Sequence, residues 1–153
     1  MPSILGRMSA IARRGSAYKT TKINNKDIGN GHHPFVYVIC NNPGQSQEWI
    51  SKRLSLNKST VARALTHLEE KGFINRIADK ADRRVLLIYP TDKLLELLPE
   101  ERAISAEWNA ELSEGISQEE MNVFLSVLER MSAKSIEIID RIEAEGESKL
   151  CLF

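Results

Sequence analysis

Residues 46–91 read SQEWISKRLSLNKSTVARALTHLEEKGFINRIADKADRRVLLIYPT and contain two helix patterns followed by two strand patterns. Ser46 has a hydroxyl that can cap the first helix, and Trp49, Ile50 and Leu54 fall on one face of that helix. The Ser-Leu pair that follows is short enough for a tight turn into the second helix. This order of elements predicts a helix-turn-helix that continues into a β-hairpin.

The second helix of this unit is amphipathic and has a clear break at each end. Asn57 can cap its start, and Gly72 supplies a stop that tolerates positive φ. One face is apolar at helical spacing, whereas the other carries short hydrogen-bonding groups and cations that can meet base edges and phosphates. Sequence-dependent DNA binding is therefore the leading hypothesis for this unit. The polar face consists of Lys58, Ser59, Thr60, Arg63, Thr66 and His67.

In the segments FINRI and RVLLIY, apolar and polar residues alternate well enough to predict two strands. The polar ADKADR between them predicts the tip of a hairpin. Lys80, Arg83 and Arg84 place cations at this tip, where they would reach the DNA backbone or an adjacent minor groove. Asp79 and Asp82 are expected to pair with the arginines and to set the shape of the hairpin. We expect Arg76 to pair with an acidic neighbour such as Glu70.

The charges are unevenly distributed along a chain that is formally neutral. Residues 1–93 hold 16 of the 21 Lys and Arg but 7 of the 21 Asp and Glu, a net charge of +9. Residues 94–153 hold the remaining 5 basic and 14 acidic residues, a net charge of −9. Because the basic part contains the helix-turn-helix, the charge pattern supports a nucleic-acid partner.

The 153 residues are enough for one substantial core or one small domain with an oligomerisation region. No segment approaches the roughly 20 consecutive apolar residues of a membrane span, and the N-terminus lacks a signal-peptide pattern. A cytoplasmic protein without membrane association is expected. Cys40 and Cys151 form neither a disulfide framework nor a metal-ligand spacing, and adjacent His32 and His33 lack a third ligand. We therefore expect no metal and no cofactor.

The flanking segments, 1–31 and 92–153, are predicted to be helical and to dimerise around the DNA-binding region at 32–91. Residues 34–40 could form a strand by propensity, but their position beside the helix-turn-helix favours a short buried helix. A helix from about residue 92 to 114 is expected to be kinked at Pro99.

The last helix is predicted to begin with a capping box of Ser117 and Glu120. It would reach Glu145 and measure about 43 Å. An apolar stripe of that length requires a partner, and a second copy is the simplest one. The expected fold is mainly α with a small β-hairpin wing, a winged helix-turn-helix with N- and C-terminal dimerisation helices.

This order of elements, and STVARALTHLEEKGFINRIADKADRRVLLIYPT in particular, resembles the MarR family of bacterial winged-helix transcriptional regulators. The run from Asp82 to Arg84 matches the family's Asp-x-Arg wing signature, and LEEKGFINR matches its helix-to-strand junction. After the wing, Tyr89-Pro90-Thr91-Asp92 departs from the family's Leu-Thr and glycine. The resemblance implies a homodimer that binds promoter DNA and is released by a small ligand or by cysteine oxidation.

The resemblance also implies roles for individual residues. Ser59, Thr60, Ala62 and Arg63 match positions that approach bases, Lys58 matches a phosphate contact, and Arg83 and Arg84 match wing contacts that Asp82 orients. Lys58 and His67 could instead be ordinary solvated positions. The full set of candidate DNA-binding residues is Gln47, Lys58, Ser59, Thr60, Ala62, Arg63, His67, Lys80, Arg83 and Arg84.

Three classes of function compete. A dimeric regulator of a pseudopalindromic operator, acting as a repressor released by a small aromatic effector, is favoured, although operator position could make it an activator. The effector cleft could be lined by Trp49, Trp108, Tyr18 and Phe35, unless these aromatics belong to the core. The alternatives are a redox-responsive regulator that uses Cys40 or Cys151, and a winged-helix protein-interaction module. An enzyme is excluded because no catalytic constellation is present.

Overall fold

The computed structural model describes residues 3–29 and 31–150, except for the side chains of 143 and 146–150. This part of the chain forms six helices and three short strands. Their bounds are α1 Ile4–Lys22, α2 His33–Asn41, β1 Gln45–Ser46, α3 Gln47–Leu54, α4 Lys58–Glu70, β2 Ile74–Ala78, β3 Leu86–Pro90, α5 Asp92–Leu112 and α6 Gln118–Leu150. The predicted fold class, mainly helical with a small β wing, is confirmed.

Side-chain caps begin the two helices of the central unit where the sequence predicts them. The Ser46 hydroxyl accepts the backbone N–H of Trp49 at 3.2 Å. The Asn57 side-chain oxygen accepts the N–H of Thr60 at 2.8 Å. Between these helices Ser55 has φ +53°, a left-handed conformation that ends α3 and redirects the chain into α4.

The three strands form an antiparallel sheet in the order β1, β3, β2. The β2–β3 hairpin is the predicted wing. β1 was not predicted, because a strand of two residues shows no alternation. Gln45 of β1 pairs with Ile88 from one side and Arg76 of β2 pairs with it from the other. The wing is thereby joined to the residues that lead into α3.

Residues 34–40 are helical, as their position beside the helix-turn-helix predicts. They lie within α2, with Pro34 in its first turn, where the missing N–H costs no helical hydrogen bond. Phe35, Val36 and Ile39 are buried in the core, together with the apolar face of α4. The core therefore places α4 with its polar face outward.

The terminal helices begin close to the predicted positions. α5 starts at Asp92 and continues through Pro99 as a single helix. The capping box before α6 is present, since the Glu120 carboxylate accepts the Ser117 N–H at 2.9 Å and the Ser117 hydroxyl accepts the Glu120 N–H at 3.3 Å. α6 extends to Leu150, beyond the predicted end at Glu145.

The chain separates into two compact units, residues 1–110 and 111–153. The first contains the core and the sheet. The second consists mainly of α6 and leaves large apolar side chains exposed, including Val123 at 61% and Phe124 at 55%. The predicted intertwined region of 1–31 and 92–153 requires a second copy and stays a prediction. No helix in the described part of the chain has the length and apolarity of a bilayer span.

Candidate nucleic-acid interface

The polar face of α4 is turned to solvent because its other face is packed in the core. Val61, Leu65 and Leu68 are each 0% exposed. Among the predicted site residues of α4, three are exposed and three are half-buried. The exposed residues are Lys58, Ser59 and Arg63, and the half-buried ones are Thr60, Ala62 and His67.

The first turn of α4 is ordered by its cap. The Asn57 oxygen that accepts the Thr60 N–H also accepts the Ser59 hydroxyl, at 2.8 Å. In the described part of the chain, neither Lys58 nor Arg63 forms an ion pair. Both cations are available to an external anion. Gln47 is half-buried at the start of α3.

The wing tip is organised by one carboxylate. Asp82 Oδ1 accepts the Arg84 backbone N–H and its Nε–H, both at 3.0 Å, and Oδ2 accepts an Nη2–H at 3.1 Å. These hydrogen bonds lower the pKa of Asp82 and set the direction of the guanidinium. Asp82 therefore pairs with Arg84, while the neighbouring Arg83 and Lys80 are exposed.

At the wing, the predicted pairing of Asp79 with an arginine is wrong, and the predicted pairing of Arg76 with an acidic neighbour is present with a different residue. The Asp79 carboxylate accepts the Ala81 N–H at 3.1 Å and shapes the tip as a turn rather than through an arginine. Arg76 has its Nε 3.2 Å from Glu69, not Glu70, and its Nη2 donates to the Thr66 hydroxyl at 3.0 Å. Position 69, one residue earlier on α4, faces β2, so Arg76 ties the wing to α4.

His67 lies one turn after Arg63 on the same side of α4, but it contacts another segment of the chain. It is half-buried, and its Nε2 donates to the Asp27 carbonyl at 2.8 Å. Its ring stacks on His32, with centroids 4.3 Å apart and 4° between the planes. The loop between α1 and α2 therefore covers this end of α4.

A cleft of about 310 Å³ opens between α1, α2 and α5 within the first unit. Trp108, Tyr37 and Lys19 contribute to its walls. The other aromatics proposed for an effector cleft do not line this one. Phe35 is fully buried in the core, Trp49 packs against the core from α3, and Tyr18 contacts the Trp108 ring at 5.2 Å.

Behind this cleft lies a buried polar group that the sequence analysis missed. Glu101 is 0% exposed; its carboxylate accepts from His33 Nδ1 at 2.5 Å and has Lys19 Nζ 4.0 Å away. Desolvation lowers the pKa of Lys19, against the raising effect of Glu101. The signal in the sequence was a carboxylate at helical spacing between Leu97 and Ile104, on the apolar face of α5.

The chain is similar to known proteins over most of its length. The model of the MarR family matches residues 35–86. A solved MarR transcriptional regulator from Methanosarcina mazei Go1 is 30% identical, with a TM-score of 0.82 over 88% of this chain and 97% of that one. The chain belongs to the MarR family.

Further relatives agree with this membership. The HTH-type transcriptional regulator YybA of Bacillus subtilis (strain 168) is 28% identical over 138 residues, 90% of this chain and 91% of the relative. A putative MarR family regulator from Listeria monocytogenes, solved in complex with a 26mer DNA, is 25% identical, with a TM-score of 0.81 over 88% of this chain and 89% of that chain. MarR membership identifies a transcriptional regulator rather than an enzyme.

Proposed function

We propose that this MarR-family chain is a homodimeric regulator that binds a pseudopalindromic operator sequence-specifically. The observation that carries the proposal is the exposed polar face of α4, where Lys58 and Arg63 form no ion pair with any described residue, in the same compact unit as the Asp82-oriented Arg84. Cations and short hydrogen-bonding groups on an exposed helix suit the phosphates and base edges of a major groove. The DNA complex of the Listeria relative supports the same partner.

The homodimer is supported by the second unit. Its helix α6 carries exposed apolar side chains along its length, among them Phe124 at 55%, Ile136 at 60% and Ile142 at 55%. Exposing so many apolar groups on one helix is unfavourable in water, and the matching surface of a second copy would cover them. A two-fold dimer would present two copies of α4 about one DNA turn apart.

We further propose that the dimer represses transcription and that a small aromatic effector releases it. The cleft beside α1, α2 and α5 supports this part of the proposal, because Trp108 offers an aromatic wall and Lys19 offers a cation. An aromatic ring bearing an acidic hydroxyl would meet both groups. Occupation of the cleft would shift the population of dimers away from the spacing that fits the operator.

A redox switch at Cys40 is less favoured. The side chain is half-buried, with Sγ 3.9 Å from the Leu94 carbonyl oxygen, and burial raises the pKa of the thiol. A raised pKa lowers the thiolate fraction on which oxidation depends. Cys151, the other candidate, lies outside the described residues.

The proposal is tested with Arg63→Ala and Arg83→Ala, measured by fluorescence anisotropy on the DNA upstream of the gene. Loss of a base-reading arginine costs about 1–3 kcal/mol, so the dissociation constant of Arg63→Ala is expected to rise roughly 5- to 150-fold. Arg83→Ala, which removes a wing contact, should weaken binding by a smaller factor.

Arg102→Ala is the matched control, because Arg102 is an exposed arginine on α5 whose Nη2 donates to Asn41 at 3.3 Å. Light scattering establishes that all variants keep the same mass. Unchanged DNA affinity in Arg63→Ala would contradict the site and favour the protein-interaction alternative.

A further inference from the structure

The loop between α1 and α2, of which residues 23–29 and 31–32 are described, is held against α4 by contacts that include two imidazole rings. The rings of His32 and His67 are parallel, with centroids 4.3 Å apart. His67 Nε2 donates to the Asp27 carbonyl, and the Asp27 carboxylate forms a 2.9 Å ion pair with Lys71 at the end of α4. The connection between α1 and α2 is thus attached to α4 through titratable side chains.

The hydrogen bonds define where the imidazole protons are. Gly29 donates its N–H to His32 Nδ1 at 3.2 Å, so this nitrogen carries no proton. The Asp27 carbonyl can only accept, so His67 Nε2 carries one. A proton added at His32 Nδ1 would remove the acceptor of the Gly29 N–H. It would also place a positive charge against the His67 ring.

The surroundings determine which group responds to acid. Burial lowers the pKa of His32 below its ordinary 6.5, and His67 and His33 act in the same direction. The hydrogen bond from Lys71 lowers the pKa of Asp27, so this carboxylate stays charged where His32 titrates. The charged and titratable groups at this junction are His33 from α2, Asp27 from the loop, His67 and Lys71 from α4 and its end, and Lys93 from α5.

We propose that His32 and His67 form a proton-sensitive joint, which holds the loop on α4 at neutral pH and releases it in acid. The joint requires neutral His32. It is therefore complete above the ordinary pKa of 6.5 and is lost as the pH falls through the lower pKa of the folded state. The consequence for regulation rests on the proposed role of α4 in DNA binding: release of the loop leaves the end of α4 without support, and DNA affinity falls.

The joint is tested first without DNA, on the full chain. The ring ¹H and ¹³C signals of the imidazoles are followed by NMR from about pH 8 to about pH 5, a range that spans histidine titration. His32 is expected to titrate below 6.5, and the Gly29 amide signal to move with the same midpoint. A His32 midpoint at or above 6.5, or a Gly29 amide that does not follow it, overturns the proposal.

Matched variants then test the consequence for DNA. His32→Asn places an amide oxygen near the position of Nδ1 and cannot titrate, whereas His67→Gln keeps a donor near Nε2. Anisotropy is measured at constant ionic strength. Between about pH 7.5 and about pH 5.5, the wild type is expected to lose at least about threefold more affinity than His32→Asn.

An equal loss in the wild type and in His32→Asn overturns the joint as a regulatory device. Absence of DNA binding at neutral pH in every variant would instead contradict the proposed function. The imidazole and amide titrations decide the joint in either case, because they do not depend on DNA.

Discussion

Arg84 and Arg63 are both exposed arginines, but only Arg84 has a carboxylate partner that fixes the direction of its guanidinium. The Arg84 guanidinium donates two hydrogen bonds to the Asp82 carboxylate, which hold it in one direction. Arg63 forms no ion pair in the described part of the chain. A planar guanidinium that is held along one edge still offers its remaining N–H groups to phosphate. Arg63 retains all of its donors for a base edge. Arg84 of the wing is thus suited to positioning the protein on the DNA backbone, and Arg63 of α4 is suited to recognising bases.

Asp82→Ala tests whether Asp82 orients Arg84, because loss of its charge and loss of its orienting contact would change DNA affinity in opposite directions. Removing a negative charge near DNA should strengthen binding, whereas freeing Arg84 should weaken it. We expect the dissociation constant to rise about threefold or more, since loss of a two-point pair costs orientation. Asp79→Asn removes the same charge from the same tip, keeps a side-chain oxygen for the Ala81 N–H, and should leave affinity unchanged or raise it. Equal effects of the two substitutions in anisotropy titrations would leave no orienting role for Asp82.

At the scale of helices and strands, the sequence correctly predicted those features that depend on residues close together in the chain. The caps Ser46 and Asn57 lie next to the backbone N–H groups that they accept, so their sequence positions predicted the starts of α3 and α4. Gly72 has φ +73° and ends α4 as predicted. The β2–β3 hairpin was predicted from the alternation of apolar and polar residues in its two strands. Each of these features depends on residues that are close in sequence.

Gly72→Ala tests the need for positive φ. A Cβ at Gly72 would meet nothing within 4 Å, so its cost is purely conformational. Placing alanine in the left-handed region costs about 1–2 kcal/mol, and the free energy of unfolding should fall by this amount. Gly31→Ala is the control, since Gly31 is equally open but lacks positive φ. Urea unfolding measures both, and equal midpoints would contradict the account of the helix end.

Features that depend on distant parts of the chain could not be predicted in the same way. The partner of Arg76 was expected at Glu70 but is Glu69, because the docking of β2 selects the side of α4 that it meets. The contact between His67 and Asp27 joins residues 40 positions apart. The candidate DNA-binding face was predictable because most of its residues lie on one helix, where spacing in the sequence gives the face. The walls of the cleft were not predictable in this way, because they come from three helices whose packing the sequence does not state.

At the scale of the whole molecule, charge and apolar surface are segregated. The basic residues 1–93 include the proposed DNA-binding face, whereas the acidic residues 94–153 include α6 and its exposed apolar groups. A net charge of +9 on one part favours approach to a polyanion. The apolar groups of α6 favour association with a second copy. The two properties together suit a dimer that binds DNA through its basic parts.

Ile138→Glu tests the dimer. Ile138 is exposed at 39% and shares a helix face with Phe124, Met131 and Ile142. A charge buried in an apolar interface is strongly unfavourable, so the variant should dissociate. Light scattering should then give the 17.3 kDa of one chain, against twice that mass for the wild type. Ser126→Glu introduces the same charge on the opposite face and should remain dimeric. A monomeric wild type would contradict the dimer.

Selection of binding sites from a random duplex library, with the purified full chain, tests the central claim most directly. A dimer that reads DNA with two copies of α4 should enrich an inverted repeat, with half-site centres about 10 base pairs apart. Enrichment of an unrepeated motif, or of no sequence at all, would contradict the account.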